Sequence, residues 1–289
     1  KNENNLLSNH EIFNLPFLFK IKNNDKNDQL LFEIESKKIR LFIENNLNYK
    51  NKIKNGLLDI SLINKSTSLN YQISEKILNF SSSDNKNFYN GQIDFVPFYF
   101  KSNFDFDYLN LKNFFKRDSF LTELIKSDIL NNENLNMDIN LNVGRLINLS
   151  QLNEIFLKMN ISEGNIDFSD SSMLWNDDLK IYLKESLLTN DQNDIFLIGK
   201  ILIELKDIDN FYSSFQIKKN NRKKIKNIEF DFNYNLIENK IVFNNTKIDG
   251  NIDIDLENFI QDFNLQGKKF FNKITFKNFV NNFFGNYKG

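Results

Sequence analysis

The sequence has no cysteine and no alanine, and only two prolines and nine glycines among its 289 residues. Without cysteine the chain forms no disulfide, carries no thiolate nucleophile and offers no sulfur ligand to a metal. The single histidine, His10, lies in a polar segment, and no second imidazole is present to complete a histidine-based zinc site. We therefore expect neither catalysis nor metal binding that depends on these residue types.

The sequence also lacks long apolar runs and an excess of charge of one sign. No stretch approaches the ~18 apolar residues that a membrane-spanning helix needs. The 37 basic and 38 acidic residues are mixed along the chain and leave a net charge of -1, so we expect no nucleic-acid partner. The first residue is Lys1 rather than Met, from which we expect a fragment or a processed product. The missing alanine and the 52 asparagines are typical of an AT-rich genome, so asparagine is discounted as a functional signal.

What the sequence does contain is alternation of apolar with acidic or amide residues. It recurs at Phe104–Asp107, Met137–Leu141, Ile166–Phe168, Ile228–Phe232 and Ile252–Asp255. Successive side chains of a strand point to opposite faces, so each run gives one apolar and one polar face. The pattern predicts a mainly β fold, a long, curved, mostly antiparallel sheet with one face hidden from water and a few short amphipathic helices.

Turn signals are sparse and lead to specific expectations. Residues 1–12 are polar and are expected to be irregular. Ser36-Lys37-Lys38 predicts a hairpin, and Asn55-Gly56 is the strongest short turn signal in the chain. Pro97 interrupts an apolar segment, which predicts an edge position or a bulge because proline has no N–H for the ladder.

Helical spacing of apolar residues appears in four places. It predicts helices over residues 118–130, 208–215 and 256–263, and in the tail that ends in Phe279, Val280, Phe283 and Phe284. No interdomain linker is evident, and the predicted helix at 118–130 is the best candidate for a domain boundary. The expected organisation is an N-terminal β segment, residues 1–117, and a C-terminal β segment with short helices, residues 118–289, or else one continuous domain.

The acidic residues do not suggest an active site. Asp105 with Asp107, and Asp253 with Asp255, share a strand face and form an outer polar row rather than an opposed pair in a cleft. Asp177-Asp178 lacks the spacing of an EF-hand calcium loop. We therefore predict a non-enzymatic protein without a metal or cofactor.

One dense basic run follows Lys218-Lys219. It consists of Arg222, Lys223 and Lys224, and two interpretations stay open: a solvated loop, or a contact with lipid head groups or nucleic acid. Because no nucleic-acid partner is expected, the predicted role of these three residues is a head-group or surface contact.

Three segments resemble the repeated units of AsmA-like proteins, the relatives of TamB. They are Gly91–Phe95 with Phe104–Leu111, Gly164–Phe168 with Trp175–Leu179, and Gly250–Leu256. In that family a glycine starts a short amphipathic strand and a dipeptide such as Asp255-Leu256 begins a small helix. The resemblance extends diffusely over residues 30–280, through short and degenerate motifs.

The resemblance implies a periplasmic protein of a Gram-negative bacterium, tethered to the inner membrane by an N-terminal anchor that is not in this sequence. It also implies an apolar β-groove that binds or conducts phospholipid toward the outer membrane in outer-membrane biogenesis, with further envelope proteins as partners. The expected groove residues are Phe95, Phe106, Ile139, Leu141, Phe168, Ile181, Leu183 and Phe232. The alternative is a closed β-sandwich that acts as a structural or interaction module and binds no lipid.

Overall fold

Strands account for most of this protein. In the computed structural model they make up 63% of the described residues and are joined in one long, mostly antiparallel sheet; 18 strands and four short helices lie within that part of the chain. The structure describes residues 3–12, 15–24, 28–48, 54–62, 65–82, 88–110, 120–126, 129–147, 149–191, 194–265 and 273–289. The prediction of a mainly β fold with a long, mostly antiparallel sheet and short helices is confirmed.

The chain divides into two compact units. Unit 1 comprises residues 1–107, 112–142 and 160–164, and unit 2 comprises residues 108–111, 143–159 and 165–289. The expected boundary after residue 117 falls among residues 111–119, outside the described residues.

The first nine strands follow one another in the chain, and a helix separates the ninth strand from the tenth. They are β1 (Glu3–Ile12), β2 (Leu15–Asn24), β3 (Gln29–Ser36), β4 (Leu41–Asn48), β5 (Lys54–Leu62), β6 (Lys65–Ile73), β7 (Ile77–Ser82), β8 (Phe88–Phe95), β9 (Phe98–Leu109), then helix α1 (Phe120–Lys126) and β10 (Met137–Leu146). From β1 to β9 each strand pairs antiparallel with the next one along the chain. The result is a meander, in which each hairpin sets the register of the next strand.

The pair β9–β10 departs from this pattern. Tyr99 donates to the Asp138 carboxylate, and Asn140 Nδ2 donates to Asn103 Oδ1 over 3.0 Å, so the contacts advance in the same direction along both strands. The two strands therefore run parallel, and the connection between them contains α1, since parallel neighbours need a crossover segment.

The remaining elements combine strands with three helices. They are β11 (Leu149–Ser162), β12 (Asn165–Asp167), β13 (Ser172–Trp175), β14 (Leu179–Asp191), β15 (Asp194–Leu205), α2 (Ile208–Phe215), β16 (Asn227–Asn235), β17 (Lys240–Ile248), β18 (Asn251–Ile252), α3 (Ile254–Leu265) and α4 (Lys273–Asn286). Helix α2 begins where predicted because the Asp207 carboxylate accepts the Asn210 N–H over 2.9 Å, as an N-cap does.

Unit 2 has a closed hydrophobic core. One face of β14–β17 is covered by α2, α3 and α4, and the buried side chains of all these elements form one cluster. Phe230 and Phe243 of the sheet have ring centroids 5.0 Å apart, and Phe283 of α4 lies 5.7 Å from Phe230. The ring centroid of Phe279 lies 5.6 Å from that of Phe243 and 4.7 Å from that of Phe263 of α3. The helices thus shield this face of the sheet from water.

Three local expectations are wrong. The N-terminal segment is not irregular, because residues 3–12 form β1 and pair with β2 along their whole length. Asn55-Gly56 is not a turn, because both residues lie inside β5 and pair with β4 and β6. Pro97 is neither at a strand edge nor in a bulge: with Val96 it forms the two-residue turn between β8 and β9.

Candidate functional site

One face of the unit 1 sheet is apolar from β2 to β10. The cross-strand partners Phe19 with Ile34, Ile43 with Ile60, and Ile93 with Phe100 place apolar side chains opposite one another from strand to strand. We call this surface the apolar face of unit 1. It consists of Phe19, Ile21, Phe32, Ile34, Ile43, Leu58, Ile60, Leu78, Phe80, Ile93, Phe100, Phe104, Phe106, Ile139 and Leu141.

Aromatic contacts run across the strands of this face. Phe19 and Phe32 have ring centroids 6.0 Å apart, and the Phe80 and Phe100 rings stack at 5.9 Å although β8 lies between their strands. The stacking over β8 is possible because Gly91 occupies the intervening position. A Cβ on Gly91 would lie only 2.4 Å from Phe80 Cζ. The face is therefore a packed layer of side chains.

Exposure distinguishes the apolar face of unit 1 from the core of unit 2. Most of its apolar side chains are half-buried, although Leu69, Tyr71 and Tyr89 on the same face are buried, whereas a strand that faces a closed core buries its apolar side chains almost completely. In β16 of unit 2, Phe230 and Phe232 are each only 4% exposed. In β9 of unit 1, Phe104 and Phe106 carry the same Phe-Asp-Phe pattern but remain partly accessible. Water or a ligand thus has access to the apolar face.

Some polar side chains on this face are paired with each other, whereas the buried hydroxyls of Ser36 and Ser102 have no hydrogen-bond partner among the described residues. Tyr71 is buried, crosses β5 at Gly56 and donates to Asn45 Oδ1 on β4. Burial raises the pKa of Tyr71, and the hydrogen bond to Asn45 opposes that rise in part. Thr67 and Tyr89 share a further hydrogen bond. The hydroxyls of Tyr71, Thr67 and Tyr89 are therefore satisfied within the protein and leave the face around them apolar.

The opposite face of the same strands is charged and polar. Lys20 Nζ lies 3.1 Å from Glu33 Oε2, and Lys22 Nζ lies 3.5 Å from Glu33 Oε1. The hydrogen bond from Lys20, aided by the positive charges of Lys20 and Lys22, lowers the pKa of Glu33 although desolvation opposes the change. The sheet of unit 1 thus has one wet face and one apolar face, as the alternation predicted.

The eight groove residues expected from the sequence lie in different environments. Phe106, Ile139 and Leu141 belong to the apolar face of unit 1. Phe95 is 44% exposed and lies at the end of β8, beside the β8–β9 turn.

The other four expected residues belong to unit 2. Phe168 and Ile181 pack against the core of that unit, and Leu183 and Phe232 are buried inside it. These side chains are covered by protein because α2, α3 and α4 fold onto this part of the sheet, so they do not form an open groove.

The sequence analysis missed most of the N-terminal members of the apolar face, such as Phe32, Phe80 and Phe100. Their signal was present, since each lies in a segment with apolar residues at every second position. The expected groove residues came only from the clearest alternations, such as Phe104–Asp107.

The basic run is engaged within unit 2. Arg222 Nε donates to the Ile217 carbonyl over 3.1 Å, and its guanidinium lies 5.9 Å from the centre of the Tyr212 ring. Lys223 Nζ donates to the Lys288 carbonyl over 2.8 Å, and Lys224 is exposed. Two of the three residues thus have contacts within the protein, and Lys224 presents its charge to solvent.

The described residues contain no arrangement typical of an enzyme or metal centre. His10 is exposed, shares a 3.0 Å hydrogen bond with Ser8 and packs edge-on against Phe19 at 5.3 Å. Asp177 is exposed, whereas Asp178 is buried and accepts a hydrogen bond from Asn210. No group of three potential metal ligands occurs in the parts of the chain that the structure describes.

Among the described residues, none of the helices has the length and apolarity to cross a membrane. The comparisons with known proteins add no assignment: no family model matches the chain, and neither a curated protein nor a solved structure is similar to it.

Proposed function

We propose that unit 1 binds the acyl chains of phospholipid along its apolar face. The single observation that carries the proposal is an apolar surface that extends across β2–β10 and on which most side chains remain half-buried. Contiguous apolar surface that stays accessible to water marks a place where another apolar molecule binds.

The physical driving force requires no specific chemistry. Burying apolar surface contributes about 25 cal/mol per Å2, or roughly 0.8 kcal/mol for each methylene group removed from water. An acyl chain laid across several strands would contact ring and aliphatic side chains all along its length. The polar opposite face would meanwhile keep the protein hydrated. Phospholipid fits both requirements, since its head group stays in water while its chains are buried.

The resemblance to AsmA-like proteins supports the same proposal. Under it, the protein is a non-enzymatic, periplasmic member of that group, anchored in the inner membrane through a segment outside this sequence. Its task would be to bind or conduct phospholipid between the two membranes of a Gram-negative bacterium. The Gly91–Phe95 and Phe104–Leu111 segments that carry the resemblance include strands of the apolar face.

The second candidate, a closed module without a lipid ligand, is favoured by a different observation. In unit 2 the core helices already cover the apolar side of the sheet. Phe168, Ile181, Leu183 and Phe232 would then serve packing only. We therefore assign acyl-chain binding to unit 1, and a structural role to the core of unit 2.

Lipid analysis tests the proposal directly. The protein is purified without detergent, extracted with organic solvent and analysed by mass spectrometry, and a fluorescent fatty acid is titrated onto the delipidated protein. The expected result is co-purified phospholipid and saturable probe binding. A parent protein that carries no lipid and binds no probe would rule out acyl-chain binding.

A pair of leucines on opposite faces provides the matched variants. Leu141→Asp places a carboxylate on the apolar face, where an unpaired charge beside hydrocarbon is strongly disfavoured. Leu57→Asp makes the same change at a side chain that is 39% exposed on the polar face of β5. Leu141→Asp is expected to lose lipid and probe while the protein stays folded, and Leu57→Asp is expected to keep both.

A further inference from the structure

The turn between β8 and β9 exposes four consecutive apolar residues. Phe95 is 44% exposed, Val96 is 73% exposed and Phe98 is 39% exposed, and Pro97 between them is also exposed. We call residues 95–98 the hairpin tip. Consecutive exposed apolar residues at a turn are disfavoured in a soluble protein unless they contact something, since turns are normally built from polar residues.

The hairpin tip continues the apolar face of unit 1. Phe95 pairs with Phe98, and two positions further along the same strands Ile93 pairs with Phe100. Side chains two residues apart lie on the same face of a strand, so Phe95 and Phe98 extend the row that Ile93 and Phe100 begin. From Ile93 and Phe100 to this end of the sheet, the apolar face therefore continues without a polar residue.

The backbone of the hairpin tip is suited to an apolar environment. Peptide groups that leave water need hydrogen-bond partners within the protein. Pro97 has no N–H, and the Phe95 N–H donates to the Lys76 carbonyl over 3.0 Å. The tip thus contains fewer unpaired donors than an ordinary four-residue turn.

One turn at the opposite end of the same sheet is basic. Because neighbouring strands are antiparallel from β3 to β8, the β3–β4 turn and the β8–β9 turn lie at opposite ends of unit 1. The β3–β4 turn exposes Lys37, Lys38 and Arg40. Beside the hairpin tip, the β6–β7 turn carries Glu75 and Lys76, whose charges balance. The turn next to the tip therefore carries no net charge that would oppose an apolar contact.

We propose that the hairpin tip inserts into the interfacial region of a phospholipid bilayer whose zwitterionic head groups have no net charge. In this arrangement the tip places the end of the apolar face against the acyl region of the membrane, where a chain can pass between bilayer and protein. The inference rests on the proposed acyl-chain binding and adds the place at which the membrane is contacted. A convex, four-residue apolar tip fits a bilayer because a bilayer needs no preformed pocket to receive it.

Vesicle binding tests the insertion. The protein is mixed with phosphatidylcholine vesicles and separated by flotation, for the parent chain, for Val96→Asp and for Ile252→Asp as the control. Ile252 is 62% exposed and belongs to unit 2, so it is not a residue of the apolar face. The expected result is that Val96→Asp lowers the vesicle-bound fraction by roughly tenfold or more, since a charge replaces an apolar side chain in the interface, while Ile252→Asp has little effect.

Two measurements separate the inference from the proposed function. Val96→Asp should still bind the fluorescent fatty acid, because Val96 lies in the turn and not among the residues of the apolar face. If the parent binds the fatty acid but not the vesicles, the bilayer contact is overturned and acyl-chain binding stands. If the parent binds neither, the proposed function fails. If light scattering shows that Val96→Asp dissolves an oligomer of the parent without changing vesicle binding, the tip is a protein interface and the inference is wrong.

Discussion

Two glycines in the strands lie where a side chain from a neighbouring strand passes over the backbone. A Cβ on Gly56 would lie 2.1 Å from the Tyr71 hydroxyl, and one on Gly91 would lie 2.4 Å from the Lys101 carbonyl oxygen as well as from Phe80. Glycine in a strand interior marks such a close approach. At these positions the absence of a side chain is required by packing, because the crossing ring fills the space.

We expect Gly91→Ala to destabilise the protein by about 1–3 kcal/mol, since the added methyl group overlaps a backbone carbonyl that cannot simply rotate away. The matched control is Gly285→Ala in α4, where an added Cβ meets only Asn221 Nδ2 at 3.5 Å. Alanine is a better helix former than glycine, so this control should be neutral or stabilising by up to about 1 kcal/mol. Urea unfolding of both variants measures the difference, and equal effects would contradict the close approach at Gly91.

Two tyrosines have strongly raised pKa values for different reasons. The hydrogen bond to the Asp138 carboxylate is the main cause that raises the pKa of Tyr99 to about 12, with desolvation second. Burial alone raises the pKa of Tyr234 to about 12. Both phenols therefore stay neutral in the folded protein at a pH where an unfolded chain ionises them.

The stability of the protein should consequently fall as the pH rises from about 10 to about 12, because over this range the unfolded state binds fewer protons than the folded state. Denaturant unfolding at a series of alkaline pH values measures the slope. Asp138→Asn removes the neighbouring charge and should shift Tyr99, alone among the nine tyrosines, to a lower pKa. Phenolate absorbance follows that titration, and an unchanged titration curve in Asp138→Asn would contradict the assignment.

Among the elements, α3 protects β17 by hydrogen bonding as well as by packing. Asn264 Oδ1 accepts the Phe243 N–H over 3.0 Å, and Asn264 Nδ2 donates to the Phe243 carbonyl over 2.6 Å. Glu257 accepts the Thr246 N–H in the same way. Strand β18 pairs with β17 only at Lys247 and Ile248, so the side chains of α3 take the place of a neighbouring strand at Phe243 and Thr246. This arrangement shields backbone groups that would otherwise attract another chain.

Asn264→Ala should therefore destabilise the protein by about 1–3 kcal/mol, because it leaves the N–H and the carbonyl of Phe243 without partners. Asn258→Ala, at an exposed position of the same helix, is the control and should cost little. Thermal unfolding compares the two variants. A cost for Asn264→Ala no larger than that for Asn258→Ala would show that the hydrogen bonds to Phe243 do not contribute.

The elements that the sequence predicted well are those whose signals are local. Helix α2 lies over the predicted residues because its apolar spacing and its Asp207 cap act within a few positions. The turn predicted at Asn55-Gly56 is wrong for the opposite reason, because the requirement for this glycine is not local. Gly56 is required because the side chain of Tyr71, on the next strand, fills the space that a Cβ would occupy. No short-range signal in the sequence distinguishes this packing requirement from a turn.

At the scale of the whole molecule, alternation predicts which side chains share a face but not what covers that face. In β16 the predicted register is confirmed, since Phe230 and Phe232 are buried while Glu229 and Asp231 remain accessible. In β9 the same pattern gives half-buried rings. The difference arises because α2, α3 and α4, which are separate segments of the sequence, cover one face of the sheet in unit 2. Coverage is thus a long-range property, and for this reason half of the expected groove residues lie in or against a protein core.

Phe230 and Phe104 test that contrast with one substitution, phenylalanine to alanine in the same local pattern. Phe230 contacts Phe243 and Phe283, so Phe230→Ala leaves a cavity and should cost about 3–5 kcal/mol of unfolding free energy. Phe104 contacts Tyr89 and Phe106 but stays partly exposed, so Phe104→Ala should cost only about 1–2 kcal/mol, in proportion to the smaller area that it buries.

Binding of the fluorescent fatty acid should respond in the reverse order. Phe104→Ala removes part of the apolar face and should weaken binding several-fold, whereas Phe230→Ala should leave binding unchanged at temperatures where the variant is folded. Denaturant unfolding and probe titration on both variants give the four values. Equal stability costs, or weaker binding in Phe230→Ala alone, would mean that the apolar face of unit 1 is not the surface that acyl chains occupy.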